Sequence, residues 1–253
     1  MNWPAEAIWE AVAPGLPGFT VEILPEIDSS NSELMRRARA GRSEPVLLVA
    51  ERQTAGRGRL GRGWASSAGE SLTFSLGLPL APADWSGLSL AVGVSVAESL
   101  HPAIRLKWPN DLWVQDRKLG GILIETASFG EAAGARYAVI GVGINIAARP
   151  RGGLSPPPAA LPGLLPGGEA AETLLRLAPS LVRDIQGFEQ AGFRAFQLRF
   201  EARDALRDRA VTLSDGTAGT AHGVSEAGSL LVHTAAGLQV VSSSEVSVRP
   251  AAP

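Results

Sequence analysis

The chain of 253 residues contains no cysteine and only three histidines, at positions 101, 222 and 233. The lack of cysteine excludes disulfides, thiol nucleophiles and thiolate metal sites. With so few histidines, neither a His-ligated zinc centre nor a Ser/His/Asp triad is expected. The N-terminus lacks the basic and apolar regions of a signal peptide, and there is no apolar run long enough to span a bilayer. The sequence therefore predicts a cytoplasmic protein that does not contact a membrane.

Lysine is also scarce, since 21 of the 23 basic residues are arginine and only Lys107 and Lys118 are lysine. The net charge of −2 and the pI near 6.0 argue against a nucleic-acid surface that extends over the whole protein. The charge is unevenly distributed, however, because residues 36–62 contain eight arginines and two glutamates, a local net charge of +6. This concentration of positive charge favours an anion as ligand.

Hydrophobic patterning predicts an α+β fold. The segment Ser30-x-x-Glu33 has the form of a capping box, and a helix is predicted from it to Gly41. A second helix is predicted over 88–100, and strands over 46–50, 71–78 and several short runs between 103 and 147. Because the turns between the later strands are short, we expect a mixed, largely antiparallel sheet with helices on one face.

A stretch over 149–168 with six prolines is predicted to connect two differently patterned regions. Two helices follow it, separated near Gly192, and five short strands follow from residue 209. Five closely spaced strands are typical of a small barrel. We therefore predict a larger domain over residues 1–207 and a small β-barrel over 208–253.

The segment 55–64, AGRGRLGRGW, formally matches the glycine pattern of a dinucleotide-binding turn. Such a turn must open a helix, whereas this segment leads into another strand, so we reject that interpretation. Arginines alternating with glycines on a flexible backbone suit the wrapping of phosphate oxygens. The alternative is a solvated, arginine-rich loop without a ligand.

Two further segments have the residues of a polar site. Lys118 enters an apolar strand beside two glycines, where it can neutralise a phosphate or a carboxylate, and it follows the run KWPNDL at 107–112. Asn110 and Asp111 are also typical of a simple turn. The run GVGIN at 141–145 either opens space for a ligand or marks a β-bulge. In DSSN at 28–31, helix capping accounts for Ser30.

Together these four motifs resemble those of the biotin protein ligases. The run GRGRLGRGW is similar to the family's biotinyl-adenylate loop, KWPNDL with KLGGILIE and GVGIN to its other two signatures, and DSSN to its biotin-contacting segment. The resemblance covers about residues 24–250. Leu60 replaces a usual arginine of the loop. Only 27 residues precede DSSN, so the chain resembles the monofunctional type, which lacks an N-terminal DNA-binding domain and is not expected to bind DNA.

The resemblance implies a catalytic domain like that of class II aminoacyl-tRNA synthetases, followed by an SH3-like barrel. It implies a cytoplasmic ligase that uses ATP and Mg²⁺ to convert biotin to biotinyl-5′-AMP. The biotin would then pass to a lysine of the biotin carboxyl carrier protein of acetyl-CoA carboxylase. A homodimer is compatible with the family.

The resemblance also assigns roles to individual residues. The catalytic residues would be Lys118, Arg57 and Arg59. Biotin would contact Ser29, Ser30, Asn31, Gln53, Gly56, Arg57, Gly58, Arg59, Lys118, Gly121 and Gly141. ATP would contact Arg57, Arg59, Arg62, Trp64, Lys107, Asn110, Lys118, Asn145 and Arg249. Trp64 would face the adenine and Asp111 would serve the magnesium ion.

Two other functions are compatible with parts of the sequence. A lipoate or octanoate ligase of related fold would activate a carboxylate in the same way, without a ureido ring to bind. A non-catalytic nucleic-acid-binding module would use the +6 segment, bind with steep salt dependence and turn over no ATP.

Overall fold

A seven-stranded sheet forms the centre of the N-terminal part of the chain. The structure is a computed structural model that describes residues 2–128, 135–148, 158–165, 168–242 and 248–250. Its strands are β1 Thr20–Ile27, β2 Val46–Gln53, β3 Ser71–Leu80, β4 Arg105–Lys107, β5 Asp111–Val114, β6 Arg117–Ser128 and β7 Arg136–Asn145. The spatial order is β1-β2-β3-β7-β6-β5-β4. Only β1 and β2 pair in parallel, so the prediction of a mixed, largely antiparallel sheet is confirmed. Strand β1 was not predicted from the sequence. It contains Pro25 and lies at the sheet edge, where a proline is tolerated.

The helices are α1 Ala5–Val12, α2 Ser30–Arg39, α3 Leu88–Leu100, α4 Ala170–Ala191 and α5 Gln197–Glu201. The bounds of α3 agree with the predicted 88–100. As predicted, a break at Gly192 separates α4 from the next helical segment, and this glycine has φ of 66°. A short 3₁₀ segment, Phe193–Phe196, then leads into α5. Helix α1 was not predicted from the sequence.

The helices lie on both faces of the sheet, so the prediction of helices on one face is incomplete. Alternate residues of β3, such as Phe74 and Leu76, belong to one hydrophobic core with α1, α3 and α4. Helix α2 packs on the opposite face, where Leu34 contributes to a smaller core with Val139. Side chains on a strand alternate between its faces. The α2 face of these strands includes Ser75 and Gly141, whose small size leaves room beside the N-terminus of α2.

The N-terminus of α2 differs from the predicted capping box. Ser29 is the N-cap residue, and its hydroxyl accepts a hydrogen bond from the Ser32 N–H at 3.4 Å. Glu33 does not close a box but pairs with arginines of its own helix. Ser30 is consequently the first helical residue, and its hydroxyl is available for other contacts.

A five-stranded antiparallel sheet forms the C-terminal part, where five short strands were predicted. Its strands are β8 Ala210–Leu213, β9 Ala218–Val224, β10 Leu230–Thr234, β11 Gly237–Val241 and β12 Val248–Pro250. Their order is β11-β10-β9-β8-β12. Val211 and Val232 of this sheet belong to the same hydrophobic core as α3 and α4. Trp108 Nε1 also donates a hydrogen bond to the Gly228 carbonyl at 3.0 Å, so the two sheets pack as one body.

Most of the predicted proline-rich connection over 149–168 lies outside the described residues. The described part includes a short 3₁₀ helix, Leu161–Gly163. None of the described helices has the length and apolar character that crossing a membrane requires.

Candidate active site

A cleft opens to solvent on the α2 face of the sheet. All four sequence motifs contribute to its walls. The predicted site residues that line it are Ser29, Ser30, Asn31, Gln53, Arg57, Gly58, Arg59, Arg62, Trp64, Lys107, Asn110, Asp111, Lys118, Gly121 and Gly141.

Glycines on the cleft face of β6 and β7 make space for the surrounding side chains. A Cβ atom on Gly141 would clash with Asn31 Oδ1, and one on Gly143 would clash with the indole of Trp64. Strand β7 pairs with β3 and β6 without a register shift along its whole length, so these glycines do not mark a bulge. They allow polar and aromatic side chains to lie directly on the sheet.

A buried polar network forms one end of the cleft. The backbone N–H and hydroxyl of Ser30 lie 2.7 and 3.0 Å from Gln53 Oε1. Ser75 Oγ lies 2.8 Å from Ser30 Oγ and 2.6 Å from Asn31 Oδ1. Sequence reasoning missed Ser75, which is fully buried in β3.

Two backbone groups, one that can only donate and one that can only accept, set the orientation of the side-chain amides of Gln53 and Asn31. Ser30 N–H only donates, so the oxygen of Gln53 must face it, which leaves the Gln53 NH₂ group for a ligand. The Leu123 carbonyl only accepts, and Asn31 Nδ2 lies 3.2 Å from it. Asn31 Oδ1 therefore faces Gly141 and retains one lone pair beside its bond to Ser75. This end of the cleft presents a donor group and an acceptor side by side.

The glycine- and arginine-rich segment folds as a short hairpin above the cleft. Arg57 pairs with Gly63 in an isolated bridge, and Gly58 N donates to the Arg62 carbonyl at 2.7 Å. Leu60, with φ of 55°, forms the tip together with Gly61. Strand β3 follows the hairpin, so rejection of the dinucleotide-binding interpretation is confirmed. Arg57 Nη2 contacts Glu125 Oε2 at 2.6 Å, and Arg59 Nη1 contacts Asn110 Oδ1 at 3.3 Å.

The other end of the cleft is strongly cationic. Lys118 Nζ lies 2.6 Å from Asp111 Oδ1, and Lys107 Nζ lies 3.9 Å from Asp111 Oδ2. Burial lowers the pKa of Lys107, against the opposing charge of Asp111. Burial likewise lowers the pKa of Arg59. A multiply charged anion would stabilise the charged forms of both groups.

The family model of the biotin/lipoate A/B protein ligases matches residues 26–145, and that of the biotin protein ligase C-terminal domain matches residues 209–249. The chain is 38% identical over 252 residues to the bifunctional ligase/repressor BirA of Escherichia coli (strain K12). This alignment covers 93% of the chain and 76% of BirA. The chain belongs to the biotin protein ligase family.

Two further comparisons support the same assignment. The ligase is 34% identical over 239 residues to the biotin–[acetyl-CoA-carboxylase] ligase of Paracoccus denitrificans, covering 88% of this chain and 98% of the relative. It also superposes on the biotin protein ligase of Aquifex aeolicus, solved in complex with biotin and ATP, with a TM-score of 0.76 and 30% identity. That match covers 91% of this chain and 99% of the solved one. The sequence-based prediction of a biotin ligase enzyme is confirmed.

The role of Asp111 as a magnesium ligand stays a prediction, and its surroundings do not favour it. Its carboxylate is bound to Lys118 and faces Lys107, so a cation would compete with two ammonium groups. Magnesium also prefers several oxygen ligands, and the described residues contain no cluster of three acidic or histidine side chains suited to a metal.

Three other predicted contacts of the ligase lie outside the cleft lining. Asn145 Nδ2 donates to the carbonyls of Lys118 and Ala159 at 3.3 and 3.1 Å, so Asn145 supports the strand that carries Lys118. Gly56 lies beneath the hairpin, where a Cβ atom would clash with the Trp64 carbonyl. Arg249 is exposed on β12, and it is the adjacent Val248 that reaches the cleft.

Trp64 of the ligase lies between the two ends of the cleft. Its ring packs on Gly143, and Lys118 Nζ lies 6.0 Å from the ring centroid. Its Nε1 is buried and has no hydrogen-bond partner among the residues that the structure describes.

Proposed function

We propose that the ligase converts biotin and ATP to biotinyl-5′-AMP and transfers the biotin to a lysine of the biotin carboxyl carrier protein of acetyl-CoA carboxylase. The orientation of the two amides at the polar end of the cleft is the observation that carries this proposal. A ureido ring has one carbonyl acceptor and two N–H donors. The NH₂ group of Gln53 suits the carbonyl, and Asn31 Oδ1 suits an N–H.

This arrangement favours biotin over lipoate or octanoate. Neither of those acids has a ureido group, so each would leave the Gln53 donor and the Asn31 acceptor buried without partners. An unpaired buried polar group costs about 1–3 kcal/mol. A site built around such groups rejects ligands that do not pair them.

The cationic end of the cleft suits the adenylation step. The biotin carboxylate attacks the α-phosphate of ATP, and pyrophosphate leaves, so negative charge must be neutralised on both sides of the reacting phosphorus. Lys118 would bridge the carboxylate and the α-phosphate, with Arg59 and Lys107 on the phosphate side. We expect magnesium to be held by phosphate oxygens and water, because Asp111 faces the ammonium groups of both Lys107 and Lys118.

The remaining cleft residues suggest how the intermediate is held and used. Because Trp64 lies between the polar and cationic ends, we infer that it covers the chain linking the biotin ring to its carboxylate, in place of the predicted contact with adenine. Asp111 is the only acidic side chain among the described residues that lines the cleft. Once Lys118 pairs with the acyl-phosphate, Asp111 would accept a proton from the incoming lysine.

The basic segment does not favour the nucleic-acid alternative. Of the eight arginines in residues 36–62, Arg36, Arg37, Arg52 and Arg57 form ion pairs with acidic side chains. The positive charge is therefore partly neutralised rather than displayed as a surface for a phosphate backbone.

The cysteine-free composition supports a cytoplasmic location. A homodimer stays a prediction.

Pyrophosphate release by the purified ligase with Mg-ATP tests the proposal. We expect release with biotin and little with lipoate or octanoate, followed by labelling when a biotin carboxyl carrier domain is added. Equal release with all three acids would contradict the assigned specificity. An acceptor that stays unlabelled while pyrophosphate is released would contradict the proposed partner.

A further inference from the structure

Glu125 contacts both α2 and the glycine- and arginine-rich hairpin, although it does not line the cleft itself. It lies on the cleft face of β6, two residues after Leu123, and its side chain is 25% exposed. Its Oε2 atom accepts hydrogen bonds from Asn31 Nδ2 at 3.0 Å and from Arg57 Nη2 at 2.6 Å. One carboxylate oxygen thus contacts both the α2 residue expected to bind biotin and the first arginine of the hairpin.

These bonds complete a continuous chain of polar contacts beneath the ligand site. The chain runs through Arg57, Glu125, Asn31, Ser75, Ser30 and Gln53, with contacts between 2.6 and 3.0 Å. Its two ends, Gln53 and Arg57, are only four residues apart in the sequence. The polar contacts and the backbone therefore form a closed ring, so displacing one member affects the others.

We propose that Glu125 is a positioning residue that keeps the Asn31 oxygen turned toward the biotin ring and holds Arg57 at the edge of the cleft. This inference rests on the proposed function. An ionised carboxylate only accepts hydrogen bonds, so Asn31 must present its NH₂ group to Glu125 and its oxygen to the cleft. The bond from Arg57 is charge-assisted and stronger than one between neutral groups.

A glutamine at this position would fill the same volume but would orient the Asn31 amide and hold Arg57 less well. Its amide has a donor and an acceptor, so it pairs with either face of the Asn31 amide and leaves the Leu123 carbonyl as the one group of this pair that favours the present orientation. The charge that holds Arg57 is lost as well. The expected consequence is weaker recognition of the ureido ring specifically.

Calorimetric titration of biotin into the ligase without ATP tests this role. For Glu125→Gln we expect the Kd for biotin to rise about tenfold. In a separate assay of pyrophosphate release, the KM for ATP should change less than about threefold. The matched control is Glu26→Gln, which removes the exposed ion pair between Glu26 and Arg52 at 2.7 Å on the neighbouring strands β1 and β2. This control should bind biotin like the wild type.

A second titration separates positioning from a general structural effect. It uses an analogue with the sulfur ring and carboxylate tail of biotin but no ureido group. Glu125→Gln should lose affinity for biotin and little for the analogue, so the preference of the wild type for biotin over the analogue shrinks. An equal loss for both ligands, or wild-type affinity for biotin, would overturn the role of Glu125. If the wild type binds no biotin, the proposed function fails first and this inference fails with it.

Discussion

The buried carboxylate of Asp204 gives a prediction that depends only on the fold. Asp204 follows α5 and pairs with Leu106 of β4 in an isolated bridge. It is 9% exposed, and its Oδ1 accepts a hydrogen bond from the Leu206 N–H at 2.8 Å. Its Oδ2 is buried and has no partner among the described residues. Burial raises its pKa from 3.8 to about 6, against the opposing Leu206 N–H.

The sign of the effect on stability follows from proton linkage. Between pH 3.8 and about 6 the folded state binds more protons at Asp204 than the unfolded chain, so the stability falls as the pH rises through this window. Ionisation of Asp204 lowers the free energy of unfolding by about 3 kcal/mol over the full shift. Lowering the pH from 7.5 to 4.5 restores about 2 kcal/mol of this stability. The lowered pKa of Asp28, about 2, reduces stability only at more acidic pH.

Urea unfolding of wild type and Asp204→Asn at pH 7.5 and 4.5 measures this difference. Relative to the variant, the wild type should gain about 2 kcal/mol in unfolding free energy at pH 4.5. Asp84→Asn is a matched control, because Asp84 accepts the same kind of bond from Ser86 N at 2.8 Å but is exposed. The control should follow the pH dependence of the wild type. Parallel pH dependence for wild type and Asp204→Asn would refute the reasoning.

Three further substitutions test the site and its support. Lys118→Arg keeps the charge but not the compact ammonium, so biotin-dependent pyrophosphate release should fall at least about tenfold, and a near-normal rate would show that any cation suffices. Gly143→Ala places a Cβ atom where the Trp64 indole lies, so the indole must move. The Kd for biotin measured by titration should then rise at least about tenfold. Unchanged affinity would show that Trp64 does not contact biotin. Trp108→Phe removes the N–H that donates to the Gly228 carbonyl, so the free energy of unfolding measured in urea should fall by about 1–3 kcal/mol. A variant as stable as the wild type would contradict a stabilising role for this bond between the two sheets.

The sequence allowed prediction of most of the fold because its helices and strands have regular hydrophobic patterns. The segment 88–100 is bounded by Gly87 and Pro102 and agrees with α3 to the residue. Strand β1 escaped prediction because its proline and mixed polarity suit only an edge strand. The position of α2 escaped prediction because short-range patterning does not determine which sheet face a helix covers.

The candidate site was predictable where glycine, arginine and lysine form unusual local patterns. Fifteen of the predicted site residues line one cleft although they come from four separate segments. Ser75 and Glu125 were missed because a serine in an apolar strand and a glutamate within a strand have no distinctive local pattern. The pairing of Asp111 with Lys118 could not be predicted, because it depends on the register of β5 and β6.

The central claim is that the amides of Gln53 and Asn31 recognise a ureido ring, and the variant Gln53→Glu tests it most directly at pH 8. Its carboxylate still accepts from the Ser30 N–H but no longer donates to the ligand. The decisive measurement is biotin-dependent pyrophosphate release at saturating Mg-ATP. We expect kcat/KM for biotin to fall about a hundredfold, equivalent to about 3 kcal/mol. A value within about twofold of the wild type would contradict the claim.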